Sequence, residues 1–314
     1  MPGKGPGPVK ARYRPRTMKD LAGRTAVITG AGGGLGQEMA RRAHALGMRL
    51  VLADVEPGPL ARIVDEIRAA GGTAHGEVVD VADEAQVARL AGRAFAELGE
   101  VNLLVNNAGV GGGGYVWETS EKEWRWVLGV NLMGVVHALH HFIPRMLAAN
   151  ARGQPGHVVN TASIAGWLAT PMFGVYNVSK HAVVALTETL HHDLRMAGAT
   201  IGVTLLCPAF VPTGIAHSER NRPAHLADEA PPTASQARAQ AAVERAVAGG
   251  KIGAADVARM TFEAVAEDRF YVFTHPQIMA SVRARHDAVH AGAPPADPYG
   301  QRPDRRPGVT GASS

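Results

Sequence analysis

The stretch Tyr176-Asn177-Val178-Ser179-Lys180 sets a phenol and an ammonium four residues apart. On a helix, positions i and i+4 share one face. A free phenol titrates near ~10 and is a poor proton shuttle at neutral pH. A fixed positive charge beside it favours the phenolate and lowers that value, which is the tuning general acid–base chemistry needs. Beyond Lys19 the chain holds only three lysines, Lys122, Lys180 and Lys251, so the pairing is not a frequent coincidence. Ser163 precedes Tyr176 by thirteen residues. A hydroxyl folded back beside a Tyr and a Lys can polarise a carbonyl by hydrogen bonding. Asn131 falls inside a predicted helix, where an Asn is mildly unfavourable unless its amide is used. It is expected to hold a water or a backbone carbonyl.

A second kind of chemistry sits nearer the start. Residues 25–36 read TAVITGAGGGLG. The β-branched and apolar run 25–29 predicts a strand, the glycines a tight turn, and Gln37 onward a helix. Glycines let a backbone approach a pyrophosphate closely, and a helix N-terminus offers free N–H groups and a positive dipole end. The next predicted strand, 49–53, ends in Asp54, 18 residues past Gly36. An acid at about that distance is expected to bond a ribose 2′-OH and to repel a 2′-phosphate. No Arg or Lys lies within residues 31–34 or directly after Asp54. The expectation is therefore NAD rather than NADP.

Strands and helices then alternate. Helices are expected at 59–70 and 84–98, strands at 74–80 and 101–105, the latter running into Asn106-Asn107-Ala108-Gly109. Residues 111–114 form a flexible connection. A long helix is expected at 121–149, a strand at 156–162 ending at Ser163, a helix from Tyr176 to Met196, and a strand at 200–206 before Cys207-Pro208-Ala209-Phe210-Val211-Pro212-Thr213. Alternation of this kind predicts an α/β, doubly wound parallel sheet, with the site at the carboxyl ends of its strands.

The composition fits one sizeable α/β domain: 314 residues, 46% hydrophobic and 19% charged. No run of eighteen apolar residues is evident, so no membrane span is expected. The basic start lacks an apolar segment and does not read as a secretory signal. Six of the basic residues lie within positions 1–19, which carry no acid. This leaves 26 basic against 28 acidic residues for 20–314, so the high pI belongs to an arm expected to be disordered. The single cysteine, Cys207, excludes an internal disulfide and fits a reducing, cytoplasmic setting. Of the 14 histidines, His140-His141 and His191-His192 are adjacent. Neighbours on a helix point about 100° apart, so no metal is expected and solvated or interface positions are.

Taken together, these motifs resemble the short-chain dehydrogenase/reductase (SDR) family over residues 20–280. Thr29-Gly30-Ala31-Gly32-Gly33-Gly34-Leu35-Gly36 matches its glycine motif, with Gly33 where a Ser often stands. Asp54 matches the acid after the second strand, Asp80 the acid beside the adenine, and Asn106-Asn107-Ala108-Gly109 its NNAG. Asn131, Ser163, Tyr176 and Lys180 match its catalytic tetrad. Pro208 and Thr213 match its Pro-Gly motif, with Ala209 in place of the Gly.

The resemblance implies a single Rossmann-like domain, 20–280, with a seven-stranded parallel sheet whose last strand is 270–274. A substrate-binding lid spans 214–250, and 281–314 is an extension that is mostly flexible tail. It further implies a cofactor site drawn from Gly30, Gly33, Gly34, Leu35 and Gly36, from Asp54-Val55 and Asp80-Val81, and from Asn107, Ala108, Gly109 and Val130. Tyr176 and Lys180 also belong to it, with Pro208, Phe210, Val211 and Thr213. Implied too is hydride transfer between NAD and a secondary alcohol or ketone, in a homotetramer or homodimer. In that scheme Tyr176 is the acid–base, Lys180 lowers its pKa, Ser163 orients the substrate and Asn131 holds a water. Tyr115, Trp117, Trp167, Phe173 and Phe210 are the candidate walls, with Ser163, of a pocket for a bulky or aromatic substrate. A non-catalytic dinucleotide sensor would need neither Tyr176 nor Lys180, and this chain keeps both. No nucleic-acid partner is expected, although the arm could touch an acidic surface.

Overall fold

The computed structural model describes residues 18–300. The expected basic arm (but for Met18 and Lys19) and the last stretch of the tail lie outside the described residues.

Seven parallel strands form one sheet, in the order β3-β2-β1-β4-β5-β6-β7. They are β1 (Thr25–Thr29), β2 (Arg49–Asp54), β3 (Ala74–Val78), β4 (Leu103–Asn106), β5 (His157–Thr161), β6 (Gly202–Cys207) and β7 (Tyr271–Phe273). Every residue of β1, β4, β5 and β6 is buried, as a parallel sheet covered on both faces requires. At one edge, only Ala74 of β3 is buried, and its remaining residues alternate between half-buried and exposed. Helices α1 (Gly34–Ala45), α2 (Pro57–Ala69) and α8 (Ala254–Glu267) cover one face, packing Met39, Ile63 and Phe262. On the other face lie α3 (Glu84–Leu98), α5 (Gly134–Ala151) and α6 (Gly174–Met196), contributing Leu90, Phe142, Met146 and Leu194. Strand order reverses at β1, which pairs with β2 on one side and β4 on the other. That reversal opens a crevice at the carboxyl ends of the strands.

The helix expected over 121–149 is not continuous. It divides into α4 (Glu121–Leu128), a π turn (Gly129–Met133) and α5. The cause is Asn131, fully buried in that turn. Its Oδ1 accepts from Val110 N at 2.8 Å, and its Nδ2 donates to Val110 O at 3.0 Å and to Ser179 Oγ at 3.0 Å. An amide that clamps a neighbouring loop by both its ends displaces the helix's own ladder, and a single π turn absorbs the extra residue. The span Glu121–Ala151 is long and apolar enough to cross a membrane by length and composition alone. Here Trp126, Val127, Val135, Ala138, Phe142 and Met146 are buried within the fold.

The C-terminal extension begins within α9 (Met279–His290). The lid segment is structured: a 3-10 segment (Gly214–Asn221), a short turn (Ala224–Leu226) and α7 (Ala234–Ala248).

Candidate active site

At the reversal point lies a cleft of about 430 Å³. The glycine turn forms its floor. Gly30 has φ 66, and a Cβ there would come within 2.8 Å of Ala108 Cα. Only glycine allows β1 and the loop after β4 to run this close. Gly36 packs tighter still, since an added Cβ would lie 2.0 Å from Gly30 O. It therefore fixes helix against strand rather than lining the cleft. Gly33 is the N-cap of α1 and provides no side-chain bond. The first N–H groups of α1 are consequently left to whatever occupies the cleft, an arrangement suited to a diphosphate.

The adjoining walls carry the two acids. Asp54 accepts from Gly32 N at 2.7 Å and from Glu56 N at 2.9 Å. Asp80 Oδ1 accepts from Ala82 N at 2.9 Å. Each carboxylate is thus fixed in place by backbone donors, with further lone pairs available to a ligand. Val55, Val81, Val130 and residues 107–110 complete this half. Thr29 Oγ1 accepts from the amides of Asn107 and Ala108 at 3.0 and 3.1 Å, and Asn107 Nδ2 donates to Thr29 O at 3.1 Å. These bonds turn the chain after β4 across the glycine loop.

The acid–base groups stand beside the cleft. Ser163 lies two residues past the end of β5, and its Oγ accepts from Ala165 N at 3.1 Å. Tyr176 and Lys180 sit one turn apart on α6. Lys180 lines the cleft and its Nζ donates to Thr161 O at 3.0 Å. The sequence predicts that Lys180 lowers the Tyr176 pKa. In the protein as it stands the phenol is instead pushed up, because burial outweighs the opposing hydrogen bond from Ser163. Burial also brings the Lys180 ammonium down to about 8. Asn131 is occupied by Val110 and Ser179, so its amide supports the loop that carries residues 107–110. Of the two expected partners, the amide meets a backbone carbonyl, Val110 O.

The predicted substrate walls do not converge on this cleft. Trp167 faces the opposite way: its ring packs edge-on against Tyr271 and Phe273, and its Nε1 donates to Cys207 Sγ at 3.3 Å. Tyr115 and Trp117 stack on each other, with Trp117 80% exposed. Phe173 pairs with Gly114 under α7. Phe210 is exposed at the base of the lid, where its carbonyl abuts Gly250. Of the expected cofactor residues, Pro208, Phe210, Val211 and Tyr176 lie outside the cleft lining, whereas Thr213 belongs to it.

Several lining residues were not anticipated: Glu56, Trp126, Ser218, Arg220 and Asn221. The last three arrive on the 3-10 segment after Thr213, and no periodicity or motif marks them. Elsewhere, Glu84 on α3 joins His140 and His141 on α5, with ligand atoms all within 4.8 Å of one another. The adjacent histidines, expected to be solvated, thus find a third partner from another helix. Glu84 remains 60% exposed.

A family model described as short chain dehydrogenase matches residues 24–224. A CLA biosynthesis dehydrogenase/reductase of Lactiplantibacillus plantarum is 33% identical over 281 residues, covering 88% of this chain and 97% of its own. A 1-deoxy-11-beta-hydroxypentalenate dehydrogenase of Streptomyces exfoliatus is 33% identical over 284 residues, covering 88% and 93%. Among solved structures, a short chain dehydrogenase/reductase from Burkholderia phymatum in complex with NAD superposes with a TM-score of 0.87 at 55% identity, covering 89% of this chain and 99% of that one.

Proposed function

The chain belongs to the short-chain dehydrogenase/reductase family, and from that premise we propose that it is an NAD-dependent oxidoreductase interconverting a secondary alcohol and a ketone. The observation that carries the reading is the adjacency of Lys180 to both halves of the site: it lines the dinucleotide cleft and shares one helical face with Tyr176. The cleft suits the proposed cofactor, since the open N-terminus of α1 fits a diphosphate and Asp54 fits a ribose diol. When bound there, a nicotinamide ring supplies or accepts the hydride.

The chain's own groups handle the proton. Tyr176 takes the alcohol proton in oxidation and returns it in reduction. Ser163, whose hydroxyl favours the phenolate, orients the substrate oxygen. Lys180, held by Thr161 O, brings positive charge next to the phenolate as it forms. Asp54 favours NAD over NADP, because a 2′-phosphate would meet a carboxylate already fixed by Gly32 and Glu56. The relative that acts on a hydroxylated pentalenate derivative supports a bulky secondary alcohol as the substrate class.

The test is absorbance-monitored cofactor reduction with NAD and NADP offered separately, against aliphatic, benzylic, alicyclic and steroidal secondary alcohols. Turnover with NAD on one class supports the reading. NADH binding without turnover on any class would favour the dinucleotide sensor.

A further inference from the structure

Glu56 is the N-cap of α2, where a carboxylate ordinarily accepts N–H groups of the first helical turn. It makes no such bond. The following residues, Pro57-Gly58-Pro59, explain why. Two of the first three helical positions have no N–H to offer, so the side chain is free to act elsewhere. It reaches over the cleft. Arg220 Nη2 donates to Glu56 Oε1 at 2.6 Å, Arg220 Nε to Oε2 at 3.3 Å, and Asn221 Nδ2 to Oε1 at 2.9 Å. Arg220 also ties up its own turn, with Nη1 donating to His217 O at 2.7 Å and Gly214 O at 3.3 Å. Glu56 extends from the end of β2, while Arg220 and Asn221 belong to the 3-10 segment after Thr213. All three line the same cleft.

We propose that Glu56, Arg220 and Asn221 form a latch that holds Gly214–Asn221 closed over the cleft and sets how fast a dinucleotide leaves it. The proposal rests on the cofactor reading above. Partly exposed ion pairs add little to overall stability, so the latch acts on the opening of one segment and not on the fold. Ser218 Oγ, which accepts from Gly111 N at 2.9 Å, anchors the inner side of the segment. Opening therefore hinges the outer side, where Glu56 sits. Arg220 and Glu56 are positioning residues here, and neither needs to touch the reacting atoms.

The experiment compares Glu56→Ala, Arg220→Ala and the double variant by two readouts. Amide hydrogen exchange of the segment is followed without cofactor, and NADH dissociation is followed by stopped-flow fluorescence. Exchange in residues 214–221 should quicken in both single variants. NADH should leave roughly tenfold faster in each, the scale of losing one charge-assisted bidentate contact. The double variant should be no faster than about twofold beyond either single, because all three remove the same interaction. Unchanged exchange in either single variant overturns the latch. So does a double variant whose rate is the product of the singles. Faster NADH release in Arg220→Ala alone also overturns it, since Arg220 would then hold the dinucleotide directly. A wild-type protein that binds no NADH overturns the cofactor reading instead, and the exchange arm still decides whether the segment is latched.

Discussion

Lys180 Nζ lies 5.7 Å from the centroid of the Tyr176 ring and spends a hydrogen bond on Thr161 O at 3.0 Å. The ammonium is thus fixed by the sheet and not by the phenol. It stands where it can respond when the phenol loses its proton, without being consumed by it beforehand. Strand β5 supplies that fixed point.

Replacing the phenol tests the proton-transfer role. Tyr176→Phe should lower turnover by roughly 10²–10⁴, the usual contribution of a positioned acid–base group. NADH affinity, read by fluorescence titration, should stay close to wild type. Turnover within about tenfold of wild type would remove Tyr176 from the mechanism.

The pH dependence follows from the direction of the shifts. Burial raises the Tyr176 phenol, so its base form accumulates only as pH climbs into the alkaline range. Oxidation kcat/KM should therefore rise with pH, and reduction should fall over the same range. Lys180 is brought down to about 8 by burial, and because the two groups stand together the observed values belong to the pair. A flat oxidation profile from neutral to alkaline pH would contradict this.

Asp54 carries the cofactor preference. Asp54→Ala should reduce the ratio of kcat/KM for NAD over NADP by about tenfold or more, since it removes both the diol acceptor and the repulsion. An unchanged ratio in steady-state kinetics would shift the preference to another part of the cleft.

Asn131 is a structural clamp before it is anything else. Asn131→Ala would leave the buried N–H and C=O of Val110 without partners. At about 1–3 kcal/mol for each of the two unsatisfied groups, urea denaturation should show a loss of about 2–6 kcal/mol. A loss below about 1 kcal/mol would mean that the loop re-pairs elsewhere.

His157 should shape acid stability. It is fully buried on β5, with Nε2 bonded to Thr204 Oγ1 at 2.8 Å. Burial brings it down to about 3 despite Asp268 at 3.8 Å. The folded protein therefore binds its proton less readily than the unfolded chain. The stabilisation is complete above the unfolded value near ~6.5 and is lost progressively as pH falls toward about 3. Urea midpoints measured from pH 7 to 4 should fall more steeply for wild type than for His157→Gln.

The parts of the site that were legible in the sequence are those whose neighbours are close in the chain. The glycine turn, Asp54 and the Tyr176–Lys180 pair each announce themselves within one strand–turn–helix unit. Even the fold class follows from their alternation. The π turn was not legible, because nothing within residues 121–149 calls for it. It exists only because Val110, 21 residues earlier, offers a backbone N–H and C=O to Asn131. Glu56 and Arg220 are 164 positions apart, and no local pattern links them. The surroundings of the aromatic residues were not legible for a related reason. Trp167 looks like a pocket wall until β7 brings Tyr271 and Phe273 alongside it. Apolar surface specifies burial but not the partner it is buried against.

The sheet order has a consequence for how the chain assembles. β1 pairs with β2 across one helical crossover, but its other neighbour, β4, arrives only after β3 and α3. During synthesis, residues 25–54 can form a βαβ unit early, while the inner edge of β1 waits for β4 and β4 in turn waits for β5. Non-local parallel pairing of this kind is slow and leaves strand edges open to wrong partners. The cleft spans both sides of that junction and takes its last wall from residues beyond Thr213. Recovery of dinucleotide binding during refolding would therefore report the closing of the centre of the sheet rather than the folding of the glycine turn.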